Sequence, residues 1–171
     1  ATAISRFERN SDVSLQDVST ALLPTPLKTT LGQGVVDINR GLKLDVKDFA
    51  TDQFSALQAR AKTIGLKLDG ELAVGVAITP SEFSDQMATS GAYELEIAPN
   101  AISIRAFDEA GAFYAVQSIL GLVDSQNVTA LPVIHIEDAP RFDYRGVMVD
   151  VARNFHSKQA ILATLDQMAA Y

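Results

Sequence analysis

The feature of the sequence that most constrains its fold is a lone strand-and-helix pattern at residues 144–171. Residues 144–151 are predicted to form an almost uninterrupted strand, and Ser157 opens a helical pattern whose apolar positions are Ile161, Leu165 and Met168. A strand of this kind belongs to a parallel sheet, in which neighbouring strands lie on both sides of it. A single strand and helix cannot bury both faces of the strand, so the pattern predicts the beginning of a larger fold.

The length of the chain excludes a complete fold built from such units. A (β/α)₈ barrel takes roughly 250 residues, whereas the chain has 171. One ordinary domain and a piece of another fit this length. We therefore expect one complete domain before Pro140 and an incomplete one after it.

The composition excludes several classes of function. The 21 acidic residues outnumber the 14 basic ones, and no cluster of Lys and Arg indicates a nucleic-acid partner. The longest mostly apolar stretch, residues 111–123, is well short of the roughly 20 residues that span a bilayer. With no cysteine and two histidines, the chain is expected to hold neither a metal nor a cofactor. Its composition is compatible with a bacterial cytoplasm, a periplasm or secretion.

Before Pro140 the hydrophobic periodicity predicts an α+β domain. Helices are predicted over residues 51–64 and 109–123, where apolar residues recur at three- and four-residue spacing. Strands are predicted over residues 35–38, 42–45, 72–79, 93–97, 102–106 and 133–136. The first two strands surround an Asn39-Arg40-Gly41 turn, the third should be mostly buried, and the fourth and fifth form a hairpin with one solvated face. The pattern indicates an antiparallel-rich sheet with two helices on one face.

The predicted organisation has three parts. Residues 1–21 mix charged and small polar residues, which is typical of a linker or the tail of an upstream domain. Pro24 and Pro26 hold the chain extended as it enters an edge strand. Residues 22–139 form the α+β domain, and residues 140–171 begin an incomplete barrel.

Several conspicuous residues are interpreted as structural. His135 and Glu137 lie on one face of a strand, but two ligands do not make a metal site, and an ordinary polar strand face is the favoured interpretation. Gly111 and Gly121 lack the spacing of a phosphate loop and are predicted to allow close packing. Asp108-Glu109 starts a helix and is predicted to cap it.

The segment at residues 138–156 is dense in charge, with seven Asp, Arg or His among its nineteen residues. In one interpretation Asp143, Arg145 and Arg153 form ion pairs that hold the linker on the strand. The functional alternative rests on polar residues at the carboxyl end of the predicted strand, which are Asp150, Arg153 and Asn154. Folds with parallel strands place their sites at this end.

Asp143 and Asp150 do not have the spacing of a glycosidase carboxylate pair. Seven residues along a strand span roughly 23 Å at about 3.3 Å per residue. The two carboxylates of such an enzyme lie roughly 5–10 Å apart, so these two cannot share one scissile bond.

The charged segment and the domain before it carry a family resemblance. The runs DAPRF at residues 138–142 and YRGVMVDVARNF at residues 144–155 resemble the entry to the catalytic barrel of the family 20 glycoside hydrolases, the β-N-acetylhexosaminidases and chitobiases. Three earlier runs are similar to the non-catalytic α+β domain of that family: GAYEL at residues 91–95, AFDEAGAFYA at residues 106–115 and QSIL at residues 117–120. The resemblance covers residues 22–171 and implies a fragment that ends in the first βα unit of a truncated (β/α)₈ barrel.

The resemblance implies an exo-acting β-N-acetylhexosaminidase that removes terminal β-linked N-acetylglucosamine or N-acetylgalactosamine from chitooligosaccharides or glycans. In this family the substrate's 2-acetamido oxygen attacks the anomeric carbon, an Asp stabilises the resulting oxazolinium ion, and an adjacent Glu serves as acid and base; the family is an exception to the two-carboxylate scheme. That acidic pair is expected on a later barrel strand. The implied partners are an N-acetylhexosamine-terminated oligosaccharide and the remainder of the barrel, and the fragment alone is expected to be inactive.

The resemblance also implies one substrate-binding residue. Arg145 resembles the family's arginine that hydrogen-bonds the outer hydroxyls of the sugar, a task that suits the rigid fork of a guanidinium. Asp150, Arg153 and Asn154 are candidates for organising the pocket wall. The alternative is a non-catalytic α+β binding or interaction module.

Overall fold

The computed structural model describes residues 22–45, 47, 49–85, 87–123, 129–142 and 144–171, and the predicted linker at residues 1–21 lies outside them. The described residues form an α+β fold, as predicted. In chain order the elements are β1 (Lys28–Asp37), β2 (Leu42–Lys43), α1 (Thr51–Thr63), β3 (Leu72–Ile78), a short 3₁₀ helix (Pro80–Glu82), β4 (Tyr93–Ala98), β5 (Ala101–Ala106), α2 (Glu109–Leu122), β6 (Ala130–Asp138) and α3 (Lys158–Ala170). We refer to residues 22–142 as the α+β unit and to residues 144–171 as the C-terminal segment.

The described strands form one mixed sheet in the order β1-β6-β4-β5-β3-β2. The pairs β1/β6, β6/β4 and β4/β5 are antiparallel, whereas β5/β3 and β3/β2 are parallel. The two segments around the Asn39-Arg40-Gly41 turn are strands, but β1 and β2 pair at opposite edges of the sheet. The turn carries the chain between those edges, with the Ile38 N–H donating to the Thr129 carbonyl. Local periodicity identified these strands without identifying their partners.

One face of the central strands is apolar and buried. Alternate residues of the β4–β5 hairpin form this face, namely Tyr93, Leu95, Ile97, Ile102, Ile104 and Ala106. Helix α2 packs on these strands, and α1 packs on α2. Phe54, Leu57 and Ala61 of α1 are buried in the same core. The predicted helices and the predicted hairpin are therefore confirmed.

The opposite face of the hairpin is polar, as the alternation predicts. Arg105 pairs with Glu94 on the neighbouring strand. The His135 ring contacts Glu96 at 2.7 Å through Nδ1 and Glu137 at 3.3 Å through Nε2. Among the described residues, no group of three or more His, Cys, Asp or Glu side chains is arranged to hold a metal ion. His135 and Glu137 thus belong to a solvated face of ion pairs, which contribute little each to stability.

Helix α2 lies very close to the sheet at its first turn. A Cβ atom added at Gly111 would overlap the backbone carbonyl oxygen of Ala92, and one added at Gly121 would lie 2.7 Å from Cδ1 of Leu22. Both glycines are therefore close-packing positions, which confirms the sequence interpretation.

Asp108 caps this helix, also as predicted. Its Oδ1 accepts hydrogen bonds from the Gly111 N–H at 2.8 Å and the Gly91 N–H at 3.0 Å, and its Oδ2 accepts one from Ser90 Oγ at 2.6 Å. Partial burial acts to raise the pKa of Asp108, but these hydrogen bonds outweigh it and hold the pKa below its usual value. The carboxylate thus joins the start of α2 to the turn before β4.

The expectation that β3 is mostly buried is wrong. Of its seven residues only Val74 is buried, and the small residues Ala73, Gly75 and Ala77 are exposed. The helices cover the sheet on one face, so alternate positions of β3 face away from the core. A run of small apolar residues is compatible with this arrangement because small side chains expose little apolar surface.

The predicted strand at residues 144–151 is not formed. Residues 144–150 belong to no strand, and Tyr144 and Met148 are exposed to 86% and 95%. A strand needs the backbone hydrogen bonds of a neighbour, and none of the described strands lies beside this segment.

The predicted C-terminal helix is confirmed. Ser157 is its N-cap, with Oγ accepting a hydrogen bond from the Ala160 N–H at 3.2 Å. None of its residues is buried, and Leu165 is 53% exposed. Among the described helices, none has the length and apolar character that crossing a bilayer requires.

Gly111→Ala should destabilise the α+β unit more than Gly121→Ala. Both substitutions gain about 1 kcal/mol of helix propensity, so this contribution cancels when they are compared. The methyl group at position 111 meets the backbone of Ala92, whereas the one at position 121 meets the movable end of Leu22. Overpacking costs about 1–3 kcal/mol, and chemical denaturation should show a difference of this size in the free energy of unfolding. Equal values for the two variants would contradict the close approach of α2 to the sheet.

Candidate functional site

One cavity among the described residues lies where the α+β unit meets the C-terminal segment. Its volume is about 240 Å³. It is lined by side chains of β4, α2 and β6, by residues 139–142, which follow β6, and by Arg145 and Ala170. Arg145, the predicted substrate-binding residue, therefore lines this cavity.

The polar groups at the base of this cavity hydrogen-bond one another. Tyr93 Oη lies 2.6 Å from Ser118 Oγ and donates to Asp138 Oδ2 at 3.4 Å, while Asp138 Oδ1 accepts from the Leu27 N–H at 3.1 Å. Burial raises the pKa of Asp138 despite these hydrogen bonds. Burial and the neighbouring Asp138 carboxylate also raise the pKa of Tyr93. This network ties the end of β6 to β4 and α2.

Arg145 contacts the α+β unit through Tyr114. Its Nη2 donates a hydrogen bond to Tyr114 Oη at 3.1 Å, and its guanidinium carbon lies 5.2 Å from the centroid of the Tyr114 ring. Its Nη1 donates to the Tyr171 carbonyl at 3.3 Å. The guanidinium fork is thus engaged by protein groups. The predicted ion pair with Asp143 lies outside the described residues.

The other three predicted site residues, Asp150, Arg153 and Asn154, lie at the turn formed by residues 150–154. Asp150 Oδ1 accepts hydrogen bonds from the N–H groups of Ala152 at 2.9 Å and Arg153 at 3.1 Å. Asp150 Oδ2 lies 3.6 Å from Arg153 Nε, and the Arg153 side chain is 89% exposed. Asn154 is exposed in the same turn. The structure brings Asp150 and Arg153 together, and the described contacts of Arg145 include none of these three.

Sequence reasoning missed two residues at this junction. Gln117 is only 7% exposed, and its Nε2 donates to the Ala169 carbonyl at 2.9 Å. Its Oε1 accepts a hydrogen bond from Arg60, whose Nη1 also donates to the Ala170 carbonyl at 3.2 Å. The available signal was an amide side chain within the apolar stripe of α2, because a buried polar group requires a partner.

Comparison with protein families gives two matches, and the boundary between them falls at residues 139–142, which line the cavity. Residues 19–139 match the model of glycosyl hydrolase family 20, domain 2, and residues 142–171 match that of glycosyl hydrolase family 20, catalytic domain. The first match alone spans more than half of the chain.

The chain belongs to glycosyl hydrolase family 20.

Two relatives are similar to the chain along its whole length. An N,N'-diacetylchitobiase of Vibrio harveyi is 60% identical over 171 residues, which are 100% of this chain and 19% of that protein. A beta-hexosaminidase of Vibrio vulnificus is 41% identical over 174 residues, covering 100% of this chain and 20% of that protein. The chain therefore spans about a fifth of the length of these relatives.

Solved structures of family 20 have the same fold. An exo β-N-acetylglucosaminidase from Vibrio harveyi, in complex with N-acetylglucosamine, matches with a TM-score of 0.68 and 26% identity over 88% of this chain and 24% of that chain. A second β-N-acetylglucosaminidase of family 20 matches with a TM-score of 0.67 and 28% identity over 87% of this chain and 28% of that chain.

Asp138→Asn should change how the stability of the chain depends on pH. Because the pKa of Asp138 is raised, the folded state binds its proton more tightly than the unfolded state, where an Asp pKa is about 3.9. The resulting unfavourable contribution is absent below about pH 4 and grows as the pH rises through the raised pKa. Asparagine stays neutral and can still accept from the Leu27 N–H. The melting temperature of the variant, relative to the unsubstituted chain, should therefore rise between about pH 4 and pH 7.

Asp108→Ala is the matched control, with the opposite sign. The pKa of Asp108 is lowered, so its stabilising contribution is present above about pH 4 and is lost as the pH falls through the lowered pKa. Loss of the helix cap should cost about 1 kcal/mol at neutral pH and less in acid. A pH-independent difference between Asp138→Asn and the unsubstituted chain would contradict the burial of the Asp138 carboxylate.

Proposed function

We propose that this chain is part of an exo-acting β-N-acetylhexosaminidase. The observation that carries the proposal is the succession of two family 20 matches, residues 19–139 and 142–171, within a chain that is 60% identical to a chitobiase. The proposed substrates are chitooligosaccharides or glycans with a terminal β-linked N-acetylglucosamine or N-acetylgalactosamine.

In this proposal residues 22–139 are the non-catalytic α+β domain and residues 140–171 are the first βα unit of the catalytic barrel. The exposed apolar side chains of the C-terminal segment support this division. They include Tyr144, Val147, Met148, Val151 and Phe155. Neighbouring barrel strands and helices would cover such side chains, and the remainder of the barrel is therefore the proposed partner of this segment.

The proposed mechanism is substrate-assisted and retaining. The 2-acetamido oxygen of the substrate attacks the anomeric carbon as the glycosidic C–O bond breaks, and a Glu outside this chain protonates the leaving oxygen. The adjacent Asp orients the acetamido group and stabilises the oxazolinium ion. Water, deprotonated by the same Glu, then attacks the anomeric carbon and releases the sugar. Asp108-Glu109 is excluded from this role because Asp108 caps α2 within the α+β unit. The chain contributes the support for the barrel and, at residues 145–154, part of the sugar pocket.

Arg145 stays a predicted substrate-binding residue, and its contacts with Tyr114 and Tyr171 indicate a competing structural role. Arg153 is exposed and lies at the carboxyl end of the proposed barrel strand, the end at which barrel sites open. We propose that Asp150, Arg153 and Asn154 organise the pocket wall, with Asp150 accepting the N–H groups of its turn.

The function is tested with the entire protein that includes this chain. We expect hydrolysis of an aryl N-acetyl-β-glucosaminide to exceed that of the corresponding aryl β-glucoside by on the order of a thousandfold, because an intramolecular nucleophile of high effective molarity is missing from the glucoside. Residues 1–171 alone should hydrolyse neither substrate. Similar rates on both substrates would contradict the substrate-assisted mechanism, and turnover by residues 1–171 would contradict the proposed location of the catalytic pair.

Arg153→Lys and Arg145→Lys distinguish the two arginines in the same protein. Lysine keeps the charge but loses the bidentate fork. A lost charge-assisted hydrogen bond costs about 1.5–3 kcal/mol, so Arg145→Lys should lower kcat/KM by roughly ten- to a hundredfold. Arg153→Lys, at an exposed position that is proposed only to organise the pocket wall, should have a smaller effect on kcat/KM. A lower melting temperature for Arg145→Lys with nearly unchanged kcat/KM per folded molecule would show instead that Arg145 is structural, through its contacts with Tyr114 and Tyr171.

A further inference from the structure

Two backbone carbonyl groups of helix α3 accept hydrogen bonds from side chains of the α+β unit. The Ala169 carbonyl accepts from Gln117 Nε2 at 2.9 Å, and the Ala170 carbonyl accepts from Arg60 Nη1 at 3.2 Å. Two helices that are distant in sequence, α1 and α2, thus supply donors to a third.

Burying the Gln117 side chain amide is unfavourable unless the amide is hydrogen-bonded. Its side chain is 7% exposed, and it lies in α2 between the buried residues Val116 and Ile119. A buried amide without partners costs about 1–3 kcal/mol. Both ends of the Gln117 amide are engaged, since Oε1 accepts from Arg60 and Nε2 donates to Ala169. The amide therefore orients Arg60 and also holds helix α3 at the Ala169 carbonyl.

Arg60 donates from one nitrogen, Nη1, both to Gln117 Oε1 and to the Ala170 carbonyl. Burial lowers the pKa of Arg60 from its usual high value. The guanidinium is thus a partly desolvated donor, and its hydrogen bonds are stronger than those of an exposed side chain.

We propose that Gln117 and Arg60 are positioning residues, which fix helix α3 against the α+β unit and thereby set the place of the turn that precedes the helix. Helix α3 begins directly after Ser157, so a displacement of the helix also displaces Arg153 and Asn154. The α+β unit in this way acts on the sugar pocket without touching the substrate. The consequence for catalysis rests on the proposed function, whereas the contact itself does not.

The first experiment measures hydrogen exchange by mass spectrometry in the entire protein that includes this chain. In Gln117→Met, which keeps the shape of the side chain and removes both hydrogen bonds, amide exchange over residues 164–171 should be roughly tenfold faster. Exchange in β4 and β5 should be unchanged. Gln58→Met is the matched control, because Gln58 is exposed on α1, and it should leave exchange in α3 unaltered.

Arg60→Met and its matched control Lys62→Met, an exposed position of the same helix, repeat the test if Gln117→Met fails to fold. Arg60→Lys retains a charged donor and should restore most of the protection that Arg60→Met loses. Unaltered exchange in α3 for both Gln117→Met and Arg60→Met would overturn the proposal, and so would an equal increase in every element.

The second experiment measures kcat and KM on an aryl N-acetyl-β-glucosaminide well below the melting temperature. Gln117→Met should lower kcat/KM by roughly three- to tenfold, since small misplacements of a site reduce catalysis, while Gln58→Met and Arg60→Lys stay within about twofold. Faster exchange in α3 with an unchanged kcat/KM would overturn the positioning role. If the unsubstituted protein hydrolyses no such substrate, the proposed function fails, and the exchange experiment alone decides whether the contact fixes α3.

Discussion

The close approach of helix α2 to the sheet is the constraint on which the rest of the structure depends. Position 111 must be glycine, because a Cβ atom there would overlap the Ala92 carbonyl. Asp108 fixes the start of the same helix by accepting from Ser90 and two backbone N–H groups. With its first turn held in this way, α2 buries the apolar face of β4 and β5. It also presents Tyr114 and Gln117 to the C-terminal segment.

The sequence predicted those elements whose signals are local. Three helices and the β4–β5 hairpin were recognisable because their periodicity and their end signals are local in the sequence. The partners of β1 and β2 were not recognisable, because pairing at opposite edges of a sheet depends on β6 and β3, which lie far along the chain. The burial of β3 was overestimated for a related reason, since small apolar residues suit a strand covered on one face as well as one covered on two.

The candidate site was predicted only in part for the same physical reason. Asp150 and Arg153 come together because they share one turn. The contact of Arg145 with Tyr114 joins residues that are far apart in sequence, and no spacing rule indicates it. Residues 144–150 have the composition of a strand, but a strand forms only beside a partner. The family comparison supplied what local patterns could not, namely that residues 142–171 match the catalytic domain model of family 20.

The central claim is that the α+β unit folds around its own core and carries the C-terminal segment on its surface. Thermal unfolding of residues 1–142 expressed alone, followed by near-ultraviolet circular dichroism, tests it most directly. We expect one cooperative transition with a melting temperature within a few degrees of that of residues 1–171, because the strands, α1 and α2 share one hydrophobic core that includes no residue of the C-terminal segment. A chain that retains helix but has no near-ultraviolet signal or cooperative transition, as in a molten globule, would contradict it.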